Sequence, residues 1–225
     1  MPENKLEVDS IIHHNGHRQL LSDIYIKCLI GEIVGLLGRN GCGKTTLLKI
    51  IFGTMPTPDK HIRINGNVYT EPYKDKNLLA YLPQHDFLPA TIKLDKIIDL
   101  YHTEPEKRET IKQDERIQKH LTKYAGELSK GELRYFELML LLQKDVKFLL
   151  LDEPFSGIAP LYVAYVEELL QPHLGTKGFI ITDHDYQSVL RVSDRLILLS
   201  DGYCRPINHK EELYQWGYIP ANALS

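Results

Sequence analysis

The sequence predicts an α/β fold with a parallel core sheet, an antiparallel β-subdomain ahead of it and an inserted helical subdomain. Three observations carry that expectation. Phe148 to Leu151 and Gly178 to Thr182 are continuous apolar runs without polar alternation, as parallel strands covered by helices on both faces require. Leu6 to Ile12 and Leu20 to Cys28 are β-rich stretches separated by the turn-forming pair Asn15-Gly16. Between these two regions lies a polar block with helical periodicity, at about 87–143.

Taken in order, the first two stretches predict an antiparallel pair of edge strands. Glu32 to Leu37 is a short buried strand entering a glycine-rich turn, and Lys44 to Phe52 combines helical spacing with good helix formers. His61 to Tyr69 and Leu78 to Leu82 predict strands around Asn65-Gly66. Lys93 to Tyr101 and Glu106 to Tyr124 predict the amphipathic helices of the insertion. Leu161 to Leu170 is the expected crossover helix between the two continuous apolar strands. Leu196 to Ser200 and Tyr203 to Ile207 flank Asp201-Gly202 as a hairpin, and Lys210 to Trp216 predicts a closing helix. No repeat or linker divides the chain, so 1–225 is read as one domain.

With 27 basic against 30 acidic residues, the chain lacks the broad basic footprint that a phosphate backbone needs, and no nucleic-acid partner is expected. Cys28, Cys42 and Cys204 are odd in number and lack metal-ligand spacing, which points to a reducing compartment without a disulfide framework. Met1 to Ser10 contains no continuous apolar stretch. The longest apolar runs, Leu138 to Leu142 and Phe148 to Leu151, fall far below the ~20 residues of a membrane-crossing helix. The expectation is a cytosolic chain whose membrane attachment comes through a partner.

The strongest chemical signal is Gly38-Arg39-Asn40-Gly41-Cys42-Gly43-Lys44-Thr45-Thr46, which fits the phosphate-loop pattern and sits between a predicted strand and a predicted helix. The glycines let successive N–H groups turn inward around an anion, and the helix N-terminus adds partial positive charge. Lys44 can then reach terminal phosphates, while Thr45 can hold magnesium. Cys42 lies beside Lys44 near that helix start, conditions that lower a thiol's pKa. Downstream, Phe148 to Leu151 delivers Asp152 and Glu153 to the end of a buried strand. Asp152 could hold Mg2+, and Glu153 could act as general base on an attacking water. Asp-Glu alone is an ordinary helix-start pair, and the phosphate loop in the same chain turns the balance.

With these residues in place, the chain resembles an ATP-binding cassette ATPase, a P-loop NTPase. Leu128-Ser129-Lys130-Gly131-Glu132 is similar to the family's signature motif, with Lys130 and Glu132 as departures. Ser129 and Glu132 also form a capping box at the start of the helix that continues through Leu142. The resemblance implies that Ser129 and Gly131 donate to the γ-phosphate of ATP held by a second ATPase subunit, most simply in a homodimer. It places Gln84 in the Q-loop, near magnesium or water, and His184 as the switch histidine contacting its own subunit's γ-phosphate. Ser156 to Pro160 stands in the D-loop, where Ala159 replaces the usual Asp. The adenine platform falls around His13, His14 and Asn15, with His14 favoured.

The implied function is ATP hydrolysis driving a membrane transporter, with an integral membrane permease subunit on a separate chain and a position at the cytoplasmic face of the membrane. Leu150 to Ile158 and the Thr182-Asp183-His184 run are also similar to ATPases of lipopolysaccharide-export and branched-chain amino-acid transporters. The rival is a soluble cassette ATPase of translation or chromosome maintenance. Such members carry tandem cassettes or a long coiled coil, and the interval from Gln84 to Leu128 contains no long heptad array. A third reading is a nucleotide-binding subunit that no longer hydrolyses ATP. Glu153 and His184 argue against it, while Lys130 and Ala159 leave it open.

Overall fold

The structure is a computed structural model that describes residues 4–220, so both extremities of the expected 1–225 domain lie outside the described residues. One sheet is antiparallel, with strand order β2-β1-β4-β5, built from β1 (Lys5–Asn15), β2 (Arg18–Leu29), β4 (Asp59–Ile64) and β5 (Asn67–Val68). The turn between β1 and β2 falls at Gly16-His17, one residue later than the expected Asn15-Gly16, because Asn15 still pairs with Arg18 in the ladder; Asn65 and Gly66, both at positive φ, separate β4 from β5. The expectation of two edge strands is corrected for β1, which carries β2 on one flank and β4 on the other. Its buried residues Leu6, Val8 and Ile11 lie on one face, and the short hydrogen-bonding β4 closes its second edge.

The second sheet has strand order β10-β9-β3-β8-β7-β6. It comprises β3 (Ile33–Leu37), β6 (Leu79–Leu82), β7 (Phe148–Asp152), β8 (Gly178–Thr182), β9 (Arg195–Ser200) and β10 (Tyr203–Ile207). All neighbours are parallel except β9 and β10, which form the expected hairpin. The absence of polar alternation in β7 has a direct cause. Phe148 and Leu150 pack with α1 (Lys44–Phe52) on one face, while Leu149 and Leu151 pack on the other with α5 (Lys130–Leu142) and α6 (Pro160–Leu170). Because the strands run in parallel, the C-terminal ends of β3, β6, β7 and β8 all open on one edge, where ligands of such sheets bind.

The helical block contains α2 (Leu94–Tyr101), α3 (Pro105–Gln113) and α4 (Glu115–Gln118), packed on α5 around Leu94, Ile98, Ile111, Ile117 and Phe136. The single helix expected over Glu106 to Tyr124 is broken. Asp114 takes an extended conformation and accepts hydrogen bonds from Arg116 N (2.9 Å) and Ile117 N (3.2 Å), so its side chain starts a new turn instead of continuing the old one. Two further differences lie near the C-terminus. The sequence reading left α7 (Tyr186–Val192) unassigned, although Asp185 caps it through Ser188 N at 3.3 Å. The closing helix is confined to α8 (Glu212–Gln215), where Leu213 is its buried residue.

Candidate functional site

The loop from Gly38 to Gly43 connects β3 to α1. Gly43 lies at φ 110°, a backbone conformation that favours glycine, and a Cβ there would press to 3.1 Å on the side chains of Leu20 and Leu21 of β2. Lys44 is buried at 6% exposure and folds back over the loop, donating from Nζ to Gly38 O at 2.7 Å and Arg39 O at 3.3 Å. An ammonium held this way is desolvated and aimed into the loop before any phosphate arrives.

Thr45 Oγ1 donates to Asp152 Oδ1 at 3.1 Å, which joins the start of α1 to the end of β7. The second carboxylate oxygen accepts from Tyr81 OH at 2.7 Å. Burial pushes the Asp152 carboxyl up from its ordinary value, and the Tyr81 and Thr45 hydroxyls pull it back. Tyr81 escaped the sequence reading as a site residue. The signal was present, because pairing of Tyr81 with Leu150 sets it two positions before the level of Asp152 on the adjacent strand.

Glu153 adopts φ 54°, a left-handed conformation unusual for a residue with a side chain. Its amide donates to Thr182 O at 2.6 Å, and this kink turns the carboxylate out of the sheet. Gln84 Nε2 donates to Glu153 Oε2 at 2.8 Å, while His184 Nδ1 lies 3.2 Å from Oε1. Three residues separated widely in sequence therefore meet at one carboxylate. They line a cavity of about 420 Å³ together with Asn40, Gly41, Gly43, Lys44, Thr45 and Thr46. Asn15, Arg18 and Leu20 complete its lining.

The remaining candidates are placed differently. His14 is exposed near the end of β1, paired across the ladder with Gln19, and does not line the cavity. Ser129 and Gly131 do not line it either. The capping box forms as expected, with Glu132 N donating to Ser129 Oγ at 3.3 Å and Ser129 N donating to Glu132 Oε2 at 2.8 Å. Gly131 has a packing reason for being glycine, since a Cβ would sit 2.6 Å from the Tyr162 ring on α6. The expected lowering of the Cys42 pKa is corrected. Cys42 is half-buried, and desolvation raises its pKa more than the neighbouring Lys44 lowers it.

Two supporting networks were missed. Asp183, fully buried, accepts from Phe155 N (2.7 Å), Ser156 Oγ (2.7 Å) and Asp185 N (2.9 Å), tying the segment after Glu153 to the end of β8. Arg134 of α5, 1% exposed, donates to Pro83 O at 2.9 Å and Gln84 O at 2.7 Å, and Glu137 sits 3.2 Å from it. Glu137 also accepts from Phe87 N at 2.8 Å. The loop carrying Gln84 is thus pinned to α5. Within the apolar register of that helix, nothing in the sequence pattern marked an arginine and a glutamate as interior residues.

Residues 21–156 match the ABC transporter family. An uncharacterised ABC transporter ATP-binding protein of Rhizobium meliloti (strain 1021) is 36% identical over 198 residues, covering 82% of this chain and 73% of that protein. The lipopolysaccharide export system ATP-binding protein LptB of Escherichia coli (strain K12) is 33% identical over 202 residues, with 83% of each covered. Among solved structures, an ATP-binding subunit of an ABC transporter superposes with a TM-score of 0.82 at 23% identity, covering 96% of this chain and 95% of that one. An ATP-binding cassette in its ADP conformation superposes with a TM-score of 0.77 at 22% identity, covering 94% of each. The phosphate loop, the carboxylates at its edge and these similarities agree, and the chain belongs to the ABC transporter family as one of its ATP-binding subunits.

Proposed function

We propose that the chain hydrolyses ATP to energise a membrane transporter, and that nucleotide-driven closure of a dimer is the device that couples the two. The observation carrying this reading is the meeting of Gln84, Glu153 and His184 in the cavity lined by Lys44 and Thr45. Gly38, Arg39, Asn40, Gly41, Cys42, Gly43, Lys44, Thr45 and Thr46 are assigned to the phosphates of ATP. Thr45 and Asp152 offer hard oxygen donors within 3.1 Å of one another, and with Gln84 they fit Mg2+, which commonly takes one or two carboxylates and completes its shell with substrate phosphates and water. Bound there, the ion would supply charge neutralisation on the phosphates.

In this reading Lys44 exchanges its loop carbonyls for phosphate oxygens. Glu153 accepts a proton from water, Gln84 orients that carboxylate, and His184 contacts the γ-phosphate. Ser129 and Gly131 lie outside the cavity of their own chain, which supports a site completed by a second copy. A two-fold pair makes each surface supply what the other lacks. Only a ligand that binds the closed form better can drive closure, and a γ-phosphate bridging two subunits provides that difference. The permease partner and the cytoplasmic face of the membrane follow from the transporter assignment. Among the described residues no helix is long and apolar enough to cross a bilayer. Leu100 of α2 is exposed at 63%, consistent with the helical block as the surface that docks on the permease. Phosphate release by the purified chain, with and without magnesium and with Lys44→Ala as control, tests the hydrolytic half. Activity indifferent to Lys44 would reject it.

A further inference from the structure

The Asp152 carboxylate is held from two elements at once. Tyr81 OH of β6 donates to Oδ2 at 2.7 Å, and Thr45 Oγ1 at the start of α1 donates to Oδ1 at 3.1 Å. Asp152 has no solvent exposure, so these hydroxyls stand in for the hydration its charge would otherwise have. Tyr81 is itself fixed. Its backbone pairs with Leu150 of β7, and its ring lies 5.4 Å from that of Phe52, the last residue of α1. Burial and the Asp152 charge push the Tyr81 phenol well above its ordinary value, so it remains a donor far beyond neutral pH.

The two oxygens of Asp152 are not equivalent. Oδ1 is bonded to a residue that lines the nucleotide cavity, whereas Oδ2 is bonded to one that does not. A cation chelated by both oxygens would compete with the phenol for the electron pairs on Oδ2. Divalent cations differ in how much that matters. Mg2+ accepts single oxygens from one or two carboxylates and completes an octahedron with phosphates and water. Ca2+ takes roughly six to eight oxygens and readily uses both of one carboxylate.

We propose that Tyr81 sets the metal preference of this site: by engaging Oδ2 it leaves Asp152 a one-oxygen donor, which suits Mg2+ and disfavours Ca2+. The proposal rests on the chain binding Mg2+ with ATP beside the Lys44 loop, and it deepens that reading by naming the residue that selects the ion. Tyr81 acts through Asp152, so it is a positioning residue. A merely structural role makes a different demand, because its loss would weaken nucleotide binding whatever ion is present.

The experiment is calorimetric titration of the full chain with ATP in EDTA, in Mg2+ and in Ca2+, and the quantity read is the gain in affinity that each ion confers over EDTA. In the parent the Mg2+ gain should exceed the Ca2+ gain. Tyr81→Phe, which removes one hydroxyl and keeps the ring, is expected to lower the ratio of the two gains roughly 10-fold, the scale of one hydrogen bond to a charged group. Affinity in EDTA should not change. The proposal is overturned if the parent gains as much from Ca2+ as from Mg2+, if Tyr81→Phe keeps the parental ratio, or if its binding weakens equally in all three solutions. Phe52→Leu loses packing against the same ring but retains the hydroxyl, and must keep the parental ratio; a shift as large as that of Tyr81→Phe would also reject the proposal. A parent whose ATP affinity ignores both ions, or survives Lys44→Ala unchanged, would instead remove the metal and phosphate-loop assignments and this proposal with them.

Discussion

Both oxygens of Glu153 are engaged, one by Gln84 and the other by His184, while a left-handed backbone holds the carboxylate at the strand end. A base positioned in this way contributes typically 10² to 10⁴ to a proton-transfer step. Glu153→Gln is therefore expected to slow ATP turnover by ~100-fold or more while ATP affinity remains. Steady-state phosphate release and equilibrium binding measured on the same preparation check both halves, and undiminished turnover would strip Glu153 of its role. Cys42 makes the opposite point about legibility. Its neighbours in sequence predict an activated thiol, yet burial outweighs Lys44 and raises its pKa. Its alkylation rate by iodoacetamide should thus keep climbing above pH 9, and a plateau by pH 8 would contradict the buried environment. Adjacency to a cation can be read from a string of letters, whereas desolvation depends on what folds over the residue.

Among the elements, α5 combines roles that its sequence shows only in part. Its start was legible, because Ser129 and Glu132 obey a local capping rule and the box forms. Its interior pair was not, since Arg134 and Glu137 are explained by the carbonyls of a loop fifty residues away. The same contrast separates α2, set by strong local periodicity, from the break at Asp114, set by one side chain competing for backbone donors. Burial pushes the Glu137 carboxyl up to about 7. A raised folded-state pKa means that the native protein holds this proton more tightly than the unfolded chain. The resulting stability is complete below the unfolded value near 4.5 and is lost as pH rises towards 7. Glu137→Gln, which keeps an acceptor for Phe87 N but cannot ionise, should therefore gain on the parent by ~1 to 3 kcal/mol between pH 5 and 8. Urea unfolding at the two pH values measures it, and a constant difference would show that Glu137 does not titrate in this interval.

For the whole molecule, the parallel character of the core sheet and the edge on which the site opens followed from two apolar runs and one glycine loop, whereas the order of its strands came only with the structure. Parallel strands place their C-terminal ends together, so the neighbourhood of Lys44, Asp152, Glu153 and His184 could be anticipated without coordinates. The position of His14 outside the cavity could not, because it depends on the register of β1 against β2, which pairs His14 with Gln19. Dimer closure is tested at this scale. Glu153→Gln with saturating ATP should sediment as a dimer, whereas ADP should leave it monomeric, and Ser129→Arg should reduce the dimer fraction by placing bulk at the surface meant for the partner's phosphate. A persistent monomer, even with the permease partner added, would reject ATP as the closing ligand.

The fork of Arg134 on two successive carbonyls has a mechanical meaning as well. Pro83 O and Gln84 O are both tethered to one rigid, buried group on α5. The amide of Gln84 therefore cannot drift from Glu153 by loop wandering alone. Either the guanidinium lets go, at the cost of leaving a buried cation short of acceptors, or the helix tilts and carries the loop with it. Force applied anywhere on the helical block then reaches the Glu153 carboxylate through a stiff linkage, much as a pedal acts on a clutch plate, and slack at position 134 would uncouple the two.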